Sequence, residues 1–175
     1  MKKLLSLSAC LLSFFGVSPL WAADEAAEPA VASENRVGGH IGMAVQIVTF
    51  ANQTDVIGSD MLNMGIAPGI TVKLDSRWAV DFEFVAYSNF KNSSLTSIVI
   101  DPGVIYNFGP MAAGLRAAVH VGGGQTQNFG LIPIALKSFP LGDSKLAAFI
   151  ELDLPIFFNE NGAALTIQPQ LGIAF

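Results

Sequence analysis

From Leu62 to Leu74 the chain alternates strictly, with Leu62, Met64, Ile66, Pro68, Ile70, Val72 and Leu74 set against Asn63, Gly65, Ala67, Gly69, Thr71 and Lys73. A two-residue apolar period belongs to a strand with one apolar face. The same period returns along the chain. Ile41, Met43, Val45 and Ile47 mark a strand between Gly39 and Phe50, and Trp78, Val80, Phe82 and Phe84 alternate with Asp81 and Glu83. Ile98, Ile100, Pro102, Val104, Tyr106 and Phe108 mark a fourth strand, with Asp101 on its other face; Leu115, Ala117, Val119 and Val121 oppose Arg116, Ala118 and His120 in a fifth. Between Phe129 and Phe139 the pattern weakens, because Ile132, Ile134 and Leu136 make both faces apolar. Ala148, Ile150, Leu152 and Leu154 oppose Glu151 and Asp153 in the seventh, and Leu165, Ile167, Pro169, Leu171, Ile173 and Phe175 form the last. ANQTDVIGSD (51–60), SNFKNS (88–93) and the glycine run from Gly122 read as loops, and 75–77, 109–110 and 140–143 as turns. The expectation is an all-β chain of eight antiparallel strands.

A repeat underlies the strands. Pro68, Pro102, Pro133 and Pro169 each precede a large apolar residue (Leu74, Phe108, Phe139, Phe175) by six positions, at spacings of 34, 31 and 36 residues. Four hairpins of one design account for it. If the sheet closes, every strand is internal, and a proline lacks one ladder donor. A bulge or bend is therefore expected at each proline. The odd strands carry a second echo, Val80-Asp81-Phe82-Glu83-Phe84 matching Ile150-Glu151-Leu152-Asp153-Leu154.

Composition narrows the setting. Mean hydropathy is +0.51, yet beyond the N-terminus no run reaches the roughly 18 apolar residues of a spanning helix. Hydrophobicity distributed by alternation is the signature of a membrane barrel. Residues 1–22 have the plan of a cleaved export signal: Lys2 and Lys3, an apolar run to Val17, then Leu20-Trp21-Ala22. Leu7-Ser8-Ala9-Cys10 is similar to a lipidation box, but too few apolar residues precede it. Residues 23–37 are acidic and without period and read as disordered, leaving 38–175 for the barrel. With the leader gone no cysteine remains, and nine basic residues less Lys2 and Lys3 leave seven against 14 acidic ones, a net charge of −7. That charge argues against nucleic acid as a partner.

The C-terminal run of alternate apolar residues ending on Phe175 resembles the closing strand of small bacterial outer-membrane β-barrel proteins, the eight-stranded OmpA/OmpX/OmpW-like kind. The resemblance implies an up-and-down transmembrane barrel in the outer membrane, a monomer in contact with its lipids. It also implies that Leu171, Ile173 and Phe175 are the signal read by the barrel assembly machinery.

In such a barrel the apolar faces meet lipid and the charged faces meet in the lumen. The expected lumen network is Lys73, Asp81, Glu83, Asp101, Arg116, His120, Glu151 and Asp153. An eight-stranded lumen is only wide enough for side chains, so a charge-paired plug is expected. Trp78, Tyr106, Phe108 and Phe139 suit an interfacial girdle. No cofactor or metal is expected, since His40 and His120 lie on different strands and no cysteine remains. The glycine run lacks the lysine and helix of a phosphate loop. An enzyme is not expected either: the His-x-Ser pattern of lipid A-modifying barrels is absent, His120 being followed by Val121 and Gly122. Short loops of about five to ten residues favour envelope integrity or limited small-solute passage. The alternative is a soluble periplasmic calycin-like barrel, its apolar faces turned inward around a lipophilic ligand.

Overall fold

A computed structural model describes residues 36–91, 94–121, 128–160 and 162–175. The export signal, residues 23–35 of the acidic segment and the glycine run from Gly122 lie outside the described residues. Eleven strand segments follow one another: β1 (Val37–Val45), β2 (Val48–Phe50), β3 (Thr54–Val56), β4 (Asn63–Lys73), β5 (Trp78–Asn89), β6 (Ser94–Asn107), β7 (Ala112–Val121), β8 (Phe129–Pro140), β9 (Ala147–Asp153), β10 (Ile156–Asn159) and β11 (Gly162–Ala174). β1 with β2 forms one stave and β9 with β10 another, parted at Leu154-Pro155. Counted so, eight antiparallel staves follow in chain order. Pairing of β1 with β11, from His40↔Ala174 to Ala44↔Gln170, closes them into a barrel. Phe175 completes the closure, exchanging backbone hydrogen bonds of 2.9 Å with Gly39 in both directions.

The period of two decides the facing. Ile70 (54% exposed), Phe82 (47%) and Leu171 (56%) stand on the outer surface, while Asp81, Glu83, Arg116 and Asp153 are each 1% exposed on the inner one. The weak pattern of the sixth strand is explained by Ile132 and Ile134, which point inward and are buried beside Val85, Val99 and Ala118.

Three features differ from the sequence expectation. The stretch read as a first loop contains β3, which pairs with β2 from Val48↔Val56 to Phe50↔Thr54 and extends that hairpin. Val37, assigned to the disordered segment, pairs with Val72 in the barrel wall. The third difference concerns the prolines. Pro68, Pro102 and Pro133 each stay in register with the preceding stave, opposite Ile41, Phe82 and Leu115. Toward the following stave, pairing lapses and then resumes unshifted, as from Ile66↔Ala86 to Gly69↔Glu83 and from Ile100↔Val119 to Gly103↔Arg116. Of the four proline levels, Pro169 alone shows a slip of register, by one residue between Ala44↔Gln170 and Val48↔Ile167. A missing N–H removes one bond on one side of the strand, and the intact ladder on the other side holds the register.

Candidate functional site

The charged face of β5 places Asp81 and Glu83 two residues apart on the lumen side, opposite Gly103 and Asp101 of β6. Arg116 of β7 crosses this gap. Its Nε and Nη2 donate to Asp81 Oδ2 at 3.0 and 2.7 Å, and its Nη1 donates to Glu151 Oε1 of β9 at 2.7 Å and Glu83 Oε1 at 3.3 Å. One guanidinium thus ties together the two echoing motifs of the odd strands. Its planar fork of donors suits three carboxylates as a lysine ammonium would not. Room for it is made by Gly103, where a Cβ would lie 2.5 Å from Arg116 Cγ.

A second layer completes the cluster. His40 Nε2 is 2.9 Å from Glu83 Oε2, and its ring fills the space over Gly69, where a Cβ would come within 2.2 Å of His40 Cε1. Gln170 Nε2 donates to Glu83 Oε2 at 2.8 Å, and Thr71 Oγ1 donates to Asp81 Oδ1 at 2.6 Å. Gln168 Nε2 donates to Asp153 Oδ2 at 3.0 Å, and Gln168 Oε1 accepts from Tyr87 Oη at 2.6 Å. Asp101 Oδ1, Asp153 Oδ1 and Gln170 Oε1 are buried with no hydrogen-bond partner among the described residues.

Of the expected lumen residues, Asp81, Glu83, Asp101, Arg116, Glu151 and Asp153 are brought together inside the barrel. Lys73 is not buried with them: it is exposed at the end of β4. His120 stands apart as well, its ring 4.0 Å from that of Phe157. His40, Gln168, Gln170, Thr71 and Tyr87 are the members that sequence reasoning did not assign. Their only signal was a place on the polar face of a strand.

Toward the loops the lumen changes character. On β1, β5 and β7 the polar residues His40, Glu83 and Arg116 are followed on the same face by Ala44, Val85 and Ala118, which pack with Val99, Ile132 and Ile134. Toward the termini the wall ends in aromatics. Trp78 packs edge-on to Tyr106 at 4.8 Å, and Tyr106 to Phe108 at 4.8 Å; Phe139 and Phe175 stand exposed at the same end. A second exposed set at the loop end, Phe90, Phe129 and Phe158, was not assigned from sequence. In the turn between β4 and β5 the backbone N–H groups of Trp78 and Arg77 donate to Asp75 and hold its carboxyl below the usual range. Near the loop end the Val56 N–H and the Ser59 hydroxyl do the same for Asp60.

No protein-family model and no characterised protein matches the chain in sequence. Among solved structures it is similar to one from work on the de novo design of transmembrane β-barrels. The TM-score is 0.47 and the identity 15%, over 83% of this chain and 98% of that one.

Proposed function

We propose that this protein is an integral outer-membrane β-barrel, exported by a cleaved signal and monomeric, whose lumen is plugged by its own side chains. Its role on this reading is envelope integrity, with at most limited passage of small solutes, and it is not an enzyme. One observation carries the reading: the apolar faces of the staves point outward and the carboxylates inward. A soluble barrel around a lipophilic ligand calls for the reverse. Water does not favour a belt containing Ile66, Ile70, Phe82, Val104 and Leu171, whereas hydrocarbon does.

The aromatic ends agree in scale. Phe129 and Phe139 bound β8 on the same outer face, ten residues apart. Ten residues of strand span about 33 Å, or about 25 Å along the axis at a tilt near 40°, the height of a barrel's apolar band. Support for the plug comes from Arg116 and its partners, backed toward the loops by Val85, Val99 and Ile132. Outer-membrane lipids are the lateral partners in this reading. Leu171, Ile173 and Phe175 present the closing strand to the assembly machinery.

The test is fractionation and refolding of the full chain. Recovery in the detergent phase of outer membranes is expected; recovery wholly in the periplasmic extract would overturn the proposal in favour of a soluble lipid-binding barrel. Phe82→Arg and Ile150→Arg place a charge in lipid at a cost of about 2–4 kcal/mol near the midplane. They should block refolding into bilayers, whereas Thr71→Arg, whose side chain enters a lumen rich in carboxylates, should be far better tolerated. Deletion of Phe175 should lower the amount of folded, heat-modifiable protein in the membrane. Single-channel recording of the refolded protein should show current close to the bilayer baseline.

A further inference from the structure

The two rims of the barrel differ in charge. Among the described residues, the end that holds the C-terminus and the three short turns carries Arg36, Lys73, Arg77, Lys137 and Lys145, with Asp75 and Asp143 as the acidic side chains. Among the described residues, the loop end carries Asp55, Asp60 and Glu160 with a single cation, Lys91. Lys91 is already engaged, its Nζ donating to the backbone oxygen of Ser59. The Asp75 carboxylate is likewise taken up by the backbone of its own turn.

The basic side chains of the first rim are aimed by its aromatics. Arg77 Nη1 donates to Tyr106 Oη at 3.3 Å, which holds the guanidinium at the edge of the Trp78–Tyr106–Phe108 stack. Lys137 stands on the outer face two residues deeper in the wall than Phe139. Its ammonium turns back over the Phe139 ring, 5.4 Å from the centroid. A lysine in that position buries its methylenes along the apolar wall and delivers its charge to the interface. Two cations at different points of the rim are therefore presented just outside a ring of aromatics, the depth at which lipid phosphates lie beyond the acyl chains.

We propose that this rim, centred on Arg77 and Lys137, binds the phosphate of anionic phospholipids in the leaflet it faces, and that the loop rim does not. The inference rests on the membrane reading above. Charge complementarity selects the occupant: five cations around an aromatic belt suit anionic headgroups, and the acidic loop rim repels them. A basic residue near an anionic surface enriches its counter-charge by a factor of about five.

The test uses the full chain refolded into vesicles of phosphatidylcholine with a minor fraction of phosphatidylglycerol, with spin-labelled forms of each lipid reporting first-shell association. Wild type should hold the anionic lipid about five-fold or more over the zwitterionic one. The double variant Arg77→Gln/Lys137→Gln should lose most of that preference. Lys91→Gln should leave it unchanged, and the charge-keeping pair Arg77→Lys/Lys137→Arg should retain it. If the double variant does not refold, the two single glutamine variants are expected to show partial losses. Insertion without preference in wild type, or a preference unmoved by the glutamine substitutions, overturns the inference and leaves the membrane reading standing. Failure of wild type to insert into any vesicle overturns both. Loss of the preference on adding millimolar inorganic phosphate at constant ionic strength would mean a site for free phosphate and would also overturn it.

Discussion

The two halves of the lumen are filled by opposite means. Toward the termini, Arg116, His40, Gln168 and Gln170 are joined to four carboxylates by directed hydrogen bonds. Toward the loops, Val85, Val99, Ala118 and Ile132 fill space by contact, around one hydrogen bond that reaches in from the polar half, Tyr87 to Gln168. The first arrangement depends on each member, because a carboxylate stripped of its partner remains buried and charged. The second degrades in proportion to the volume removed. Arg116 is the clearest case of the former, since among the described residues it is the cation that reaches Asp81, Glu83 and Glu151 together.

The largest expected effect therefore falls on the polar half. Arg116→Met should cost about 3–5 kcal/mol, read as a lower urea midpoint of the protein refolded in bilayers. Adding Glu151→Gln should return part of that loss, since the two groups share a bond and their effects are not additive. Unchanged stability with an altered current would mean that the polar half is a pathway and not a plug. In the apolar half Ile132→Ala should cost about 3 kcal/mol, and no second substitution among its neighbours should restore it as neutralising Glu151 does for Arg116. Gly69→Ala tests the boundary of the polar half by pushing His40 off Glu83, at about 1–3 kcal/mol for overpacking. The smallest effect lies outside both halves. Because the folded carboxyl of Asp75 is held below its usual range, its contribution is present above about pH 4 and is lost as pH falls through the lowered folded value. Asp75→Ala should lower the midpoint at neutral pH, with the difference from wild type vanishing in acid.

How much of this could be read from the chain depended on what each element had to know about its neighbours. Facing was legible nearly everywhere, since Phe82 out and Glu83 in follow from the period alone. What the period cannot give is register. His40 meets Glu83 only because β1 pairs with β4 at His40↔Gly69 and β4 with β5 at Gly69↔Glu83. The faces of β1 and β4 at that level are mostly glycine and alanine, so nothing local marked the histidine as a network member. Lys73 and His120 were assigned by face and misassigned by depth: both follow the inward period, but one lies where the wall ends and the other four residues beyond Arg116. The segment β3 was missed because three residues with a central Asp55 are too few to display a period.

The prolines carry a consequence for how the wall deforms. Each lapse in pairing lies between an even stave and the next odd one, while within each loop-joined hairpin the ladder keeps a single register at the proline's level. The circumference is thus four two-stranded ribbons joined along four loosened seams, each lacking a donor at one level. A cylinder made this way yields like a folding screen. Change of curvature is taken up at the joints, and the panels, with the side chains that bridge across the lumen, keep their shape.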